Sequence, residues 1–180
     1  MLSTNFFLLI LFLLFCGAIF SYDYLFRRVP NVFLLIAIAL QLCCLLVLDS
    51  GLNGTGWLSA LSGFAAGLVF FLPLYVLRAM AAGDVKFFAV LGLLSGPQAL
   101  LPVFLIASGM AFLHALLLYA SRMGLAPGLQ LVAMRMARRA WYQRILGKRG
   151  NRVGIPYAAY LALAAALICI RNSGAVPGFT

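Results

Sequence analysis

The 180-residue chain contains only three carboxylates, Asp23, Asp49 and Asp84, and no glutamate, against thirteen Lys plus Arg. Two acids brought together in a low-dielectric place share one proton, because repulsion and desolvation push their ionisation steps apart. Such a pair can hydrolyse a peptide bond without metal or cofactor. The ionised member takes a proton from a water held between them while the protonated member polarises the scissile carbonyl, and the roles reverse as the amine leaves. Both side chains must therefore reach one water. Asp23 and Asp84 are the candidates, whereas Asp49 opens the polar run DSGLNGTG.

The elements that position these residues follow from composition. At 66% hydrophobic and 9% charged, the chain holds more apolar surface than a water-soluble domain of this size can bury, so the excess faces lipid. Lipid offers no hydrogen-bond partners, and long Leu/Ala/Phe runs without polar alternation select helices over a barrel. The expected fold is all-α and polytopic, a single membrane-embedded domain over 1–180. About six transmembrane helices are expected, at 4–22, 31–48, 57–78, 84–96, 98–121 and 154–171. The fourth is too short to cross a bilayer as a straight helix and is expected to be broken or partly inserted. Gly96 and Pro97 mark the turn into the fifth. The first run carries no Lys or Arg before Phe15 and continues too far for a secretory signal, so it reads as a membrane helix.

Charge supplies the orientation. Arg27, Arg28, Arg78, Lys86 and eight basic residues from Arg122 to Arg152 fall on one side of this layout, and only Arg171 falls opposite. The positive-inside rule then puts both termini outside the cytoplasm and the 22–30, 79–83 and 122–153 connections within it. Within 122–153, Leu129, Val132, Met136, Ala140 and Ile145 are spaced like an amphipathic helix lying on the membrane surface, with anionic lipid as its partner. A nucleic-acid partner is rejected despite the +10 net charge, because the basic residues gather beside apolar spans without aromatic interleaving. On this layout Asp23 closes the first span and Asp84 opens the fourth, at the same cytoplasmic face. A carboxylate beside hydrocarbon is costly to ionise and is kept there mainly when paired or chemically active. A purely structural role also fits the spacing, with Asp23 paired to Arg27 at i,i+4 and Asp84 to Lys86 as helix-end charge compensation.

The local sequence favours chemistry. The run Asp23-Tyr24-Leu25-Phe26-Arg27-Arg28-Val29-Pro30-Asn31 resembles the D-x-x-x-R-R-I-P-N element of type IV prepilin peptidases. Ala82-Gly83-Asp84-Val85-Lys86 resembles their G-x-G-D-x-K element, and RVGIPYAAY, from Arg152 to Tyr160, is similar to their last-helix entry, commonly I-P-Y-G. The resemblance implies an intramembrane aspartic endopeptidase with Asp23 and Asp84 as its catalytic pair, no cofactor and no metal. Ala81 and Ala158 stand where the family pattern has glycine. Bifunctional members carry a further region with paired C-x-x-C motifs and methylate the new N-terminus. Here Cys16, Cys43, Cys44 and Cys169 form no such pair, so the chain resembles the short, peptidase-only members of Tad/Flp pilus systems, TadV or CpaA, without methyltransferase activity. The implied substrate is a prepilin or pseudopilin, cleaved at the cytoplasmic face of the bacterial inner membrane.

Neighbouring residues admit physical roles. Pro30 fits a first helical position and restricts Val29 to an extended conformation. Gly83 allows close backbone approach to Asp84 or to an extended substrate. Lys86 either stabilises an ionised pair or snorkels to headgroups, Asn31 orients an aspartate or caps the second helix, and Arg27 and Arg28 set topology. His114, inside the fifth span, reads as a hydrogen-bonding bridge between helices, and the cysteines read as buried, inert thiols. Two competing functions remain: a related archaeal preflagellin peptidase, and a non-enzymatic membrane subunit or small transporter using Asp23 and Asp84 for charge balance or proton relay.

Overall fold

A computed structural model describes residues 2–124, 128, 135, 138–149 and 154–173. Its helices are α1 (Leu2–Phe26), α2 (Asn31–Leu48), α3 (Trp57–Val76), α4 (Ala82–Ser95), α5 (Pro97–Arg122), α6 (Ala140–Arg149) and α7 (Tyr157–Asn172), and no strand occurs among the described residues. Four helical segments are long and apolar enough to cross a membrane: Phe6–Phe26, Asn31–Leu48, Trp57–Val76 and Pro97–Ser121. The protein is thus an all-α membrane protein. Large side chains such as Leu46, Val47, Leu58 and Val76 stand on its outside, as lipid-facing positions should.

The fourth span was expected to be broken or partly inserted. Instead of breaking, Ala82–Ser95 is one continuous helix. At 14 residues it rises only about 21 Å, short of the roughly 30 Å hydrocarbon core. Its surroundings explain why that suffices. Val85 and every residue from Phe87 to Leu94 are buried, because α2, α3, α5 and α7 all pack against it. A helix enclosed by protein need not match the bilayer, since its ends meet protein groups rather than lipid.

The pairing of α4 with α3 is the most extensive in the bundle, and small residues make it close. A methyl added at Gly63 would collide with the Gly92 carbonyl, and one at Gly92 with the Gly63 carbonyl. Backbones approach this nearly only where side chains are absent. Beside this contact Phe71 stacks on Phe88 with centroids 4.0 Å apart.

The far end of α4 is closed by buried polar groups. Gln41 donates Nε2 to the Leu93 carbonyl at 3.0 Å and to Thr55 Oγ1 at 2.9 Å, and its Oε1 accepts the Leu52 N–H at 2.9 Å. The DSGLNGTG loop is thereby tied over the helix end, supplying a carbonyl that would otherwise lack an intrahelical partner. Gly96, at φ +76, closes α4, and Pro97 opens α5 at its first position, as that pair of residues predicts.

Other boundaries differ in ways that matter. α1 continues to Phe26, so Asp23 lies within its last turns rather than beyond its end, and α7 starts at Tyr157 rather than at 154. Cys43 is exposed on the outside of α2, contrary to the expectation of four buried thiols. Of the proposed surface helix, Ala140 and Ile145 fall on α6, which packs against α1, while Leu129, Val132 and Met136 lie outside the described residues.

Candidate active site

Asp23 continues the apolar stripe of α1. Leu8, Phe12, Cys16 and Ile19 precede it at helical spacing, all buried, and Asp23 itself is only 5% exposed. A carboxylate near a helix C-terminus opposes the local dipole, so its stabilisation must come from elsewhere. It comes from α7: the Ala159 N–H donates to Asp23 Oδ2 at 3.0 Å.

Asp84 sits in the first turn of α4, three residues after the N-cap Ala81, where a negative charge is favoured. Its carboxylate lies near the backbone amides of Ala158 and Ala81, both of which favour its charged form. Two consecutive amides of α7 therefore stand beside the two acids, Ala159 donating to Asp23 and Ala158 lying near Asp84. These are second- and third-position amides of a helix begun by the N-cap Pro156, and such N–H groups have no partner within their own helix. The alanine side chains, both 0% exposed, let α7 come this near.

The acids face one cavity of about 400 Å³ and feel each other's charge across it. That volume falls in the range of roughly 300–1,000 Å³ usual for ligand sites. Of the residues singled out by sequence, Asp23, Arg27, Arg28, Asn31, Gly83, Asp84 and Lys86 line it, together with Val29, Ala81, Gly154, Ile155 and Tyr157. Pro30 is not in its wall, and Asp49 lies beyond the opposite end of α2.

Individual roles shift. Pro30 is the N-cap of α2 rather than its first helical residue, and Asn31 follows it without a side-chain cap among the described residues, so the capping role is not what Asn31 performs. Arg27 turns the chain from α1 with a left-handed φ of 55°, a strain of about 1–3 kcal/mol for a residue with a side chain. Its N–H closes the helix on the Asp23 carbonyl at 2.8 Å. Gly83 makes no close approach inside the protein: an added methyl would meet Val29 at an ordinary 3.5 Å. Ala81, with φ −77 and ψ 146, sits in a conformation open to any residue, so the backbone there does not call for the family's glycine. Lys86 is exposed, and Asp84 feels the charge of Asp23 rather than that of Lys86, since residues two apart on a helix do not face each other.

The sequence marked the Arg152–Tyr160 run as a last-helix entry but assigned its backbone amides and Tyr157 no role. Ala158 and Ala159 act through backbone amides, which no side-chain search finds, although Pro156 before a small-residue run signals a helix start with unpartnered N–H groups. Tyr157 lines the cavity and joins Ser108 of α5 through its hydroxyl at 3.0 Å. His114 hydrogen-bonds the Tyr160 hydroxyl, bridging α5 and α7 as expected of a lone intramembrane histidine.

A helical membrane protein that gathers two acids around one cavity at the end of its bundle has the form of an intramembrane aspartic peptidase. The family model for the type IV leader peptidase family matches residues 9–117, and the chain belongs to that family. The match contains both aspartates and ends before α7. Searches of curated proteins and of solved structures return no match to this chain.

Proposed function

We propose that this type IV leader peptidase is a short, peptidase-only member serving a Tad/Flp-type pilus, with Asp23 and Asp84 as its catalytic pair. It removes the leader of a prepilin or pseudopilin at the cytoplasmic face of the bacterial inner membrane. The observation that carries the reading is that Asp23 and Asp84, from distant helices, line a common cavity beside the start of α7, where the Ala159 N–H donates to Asp23. Structural charge compensation would not require two acids from distant helices to meet.

In this mechanism the pair holds one proton and one water. The ionised carboxylate removes a proton as the water oxygen attacks the scissile carbonyl, while the protonated one donates its hydrogen to the carbonyl oxygen. Collapse of the tetrahedral intermediate breaks the C–N bond, with a proton returned to the departing amine. The Ala159 amide keeps the Asp23 carboxyl group oriented through the cycle. A leader junction must unwind to enter, because a helical peptide bond is hydrogen-bonded and shielded, and the cavity at the bundle end gives it room outside lipid.

The test is co-expression with a candidate prepilin, comparing the unmodified chain with Asp23→Asn and Asp84→Asn. Each variant is expected to accumulate to normal levels and to leave the leader in place, read as the mass of the pilin. Normal processing by either variant overturns the pair, and solute flux without a change in pilin mass would favour a transporter. The pilin N-terminus produced by the chain alone is expected to be unmethylated.

A further inference from the structure

A second cavity, of about 320 Å³, lies between α2 and α3 with α4 as its floor. Its walls include Leu35 and Ile38 of α2, Leu68 of α3 and Val90 of α4, and it shares Asn31 and Lys86 with the carboxylate cavity. The shared residues make the two spaces neighbours, with Asn31 and Lys86 standing between them. Neither the apolar groove between α1 and α2 nor that between α5 and α7 has a residue in common with the carboxylate cavity. Away from the acids, Leu45, Ala60 and Leu93 join α2, α3 and α4 in a small buried cluster that closes the gap between the walls.

We infer that this groove receives the apolar helix of the substrate immediately after the scissile bond, an inference that rests on the leader-peptidase reading above. The chemistry of the occupant follows from position. A transmembrane chain cut between Asp23 and Asp84 continues from the cavity into the membrane, and this apolar groove adjoins the cavity at Asn31 and Lys86. From Asn31 to Ile38 it runs about 10 Å, or two helical turns. Lys86 is exposed and lines both spaces, so the one cation in the groove wall among the described residues marks the boundary where a polar, unwound junction would give way to an apolar helix.

The experiment places a photoreactive phenylalanine analogue at Leu35 or Leu68 in membranes containing the prepilin, with Leu14 and Leu117 in the other two grooves as comparison positions. Crosslinks to the first turns of the pilin's apolar helix from Leu35 and Leu68, and not from Leu14 or Leu117, are expected. Crosslinks of equal strength from all four positions, or crosslinks to lipid alone, overturn the inference. Filling the groove with Leu35→Trp and Leu68→Trp together should slow processing about tenfold, a loss of substrate binding, while Leu117→Trp keeps the unmodified rate. Normal processing by the double variant also overturns it. Failure of the leader-peptidase reading looks different: the unmodified chain would then leave the leader uncut, whatever the crosslinks.

Discussion

Asparagine in place of either acid keeps the shape and still accepts an α7 amide, but it carries neither the charge nor the transferable proton. Asp84→Asn and Asp23→Asn should each lower cleavage by about 10²–10⁴-fold, the usual worth of a positioned acid or base, with protein level unchanged. A pair sharing one proton also predicts a bell-shaped rate profile, falling at low pH as the second carboxylate protonates and at high pH as the shared proton is lost. A cleavage rate with a single limb would contradict it. Gly83 gives a different signature: since a methyl there meets only Val29 at 3.5 Å, Gly83→Ala should fold normally. Any fall in its cleavage rate then reports crowding of substrate in the cavity. At this scale the sequence was informative because acids are so scarce in the chain. It was blind to Ala158 and Ala159, whose contribution is made by amides that every residue except proline possesses.

Helix α4 is positioned by its neighbours rather than by its length. Its closest neighbour is set by glycine, and Gly63→Val should force α3 and α4 apart at a cost of about 1–3 kcal/mol, typical of overpacking, read as a lower thermal midpoint in detergent. At the other end Gln41 serves three partners, so Gln41→Leu strands the Leu52 N–H and the Leu93 carbonyl. Each buried group left unsatisfied costs about 1–3 kcal/mol, and the same midpoint should fall. A broken or partly inserted helix was expected because its apolar length was judged against a bilayer; the structure shows no break and surrounds the short helix with protein. The pairing with α3 was nevertheless written in the chain: Gly63 and Gly67, and again Gly92 and Gly96, stand four apart, the spacing that puts small residues on one helical face.

Across the whole molecule, apolar runs were sufficient to find the helices, since lipid allows little else. Charge suggested their orientation, with twelve basic residues assigned to one side. Reporter fusions after Asn53 and after Lys148 should therefore show opposite locations, the first outside and the second in the cytoplasm. Matching locations would overturn the layout. Sequence could not show which helix touches which, because hydrophobic runs specify burial against something without naming the partner. The meeting of α1, α4 and α7 thus had to come from the structure.

That meeting has a consequence for how the enzyme comes into being. The acids arise on α1 and α4, but the amide that Asp23 accepts belongs to α7, the last helix described. On the proposed assignment, a nascent chain that has made only α1 to α5 carries both acids without that amide. Hydrolysis would then wait for the ribosome to deliver α7, which would protect neighbouring membrane proteins from a half-built protease.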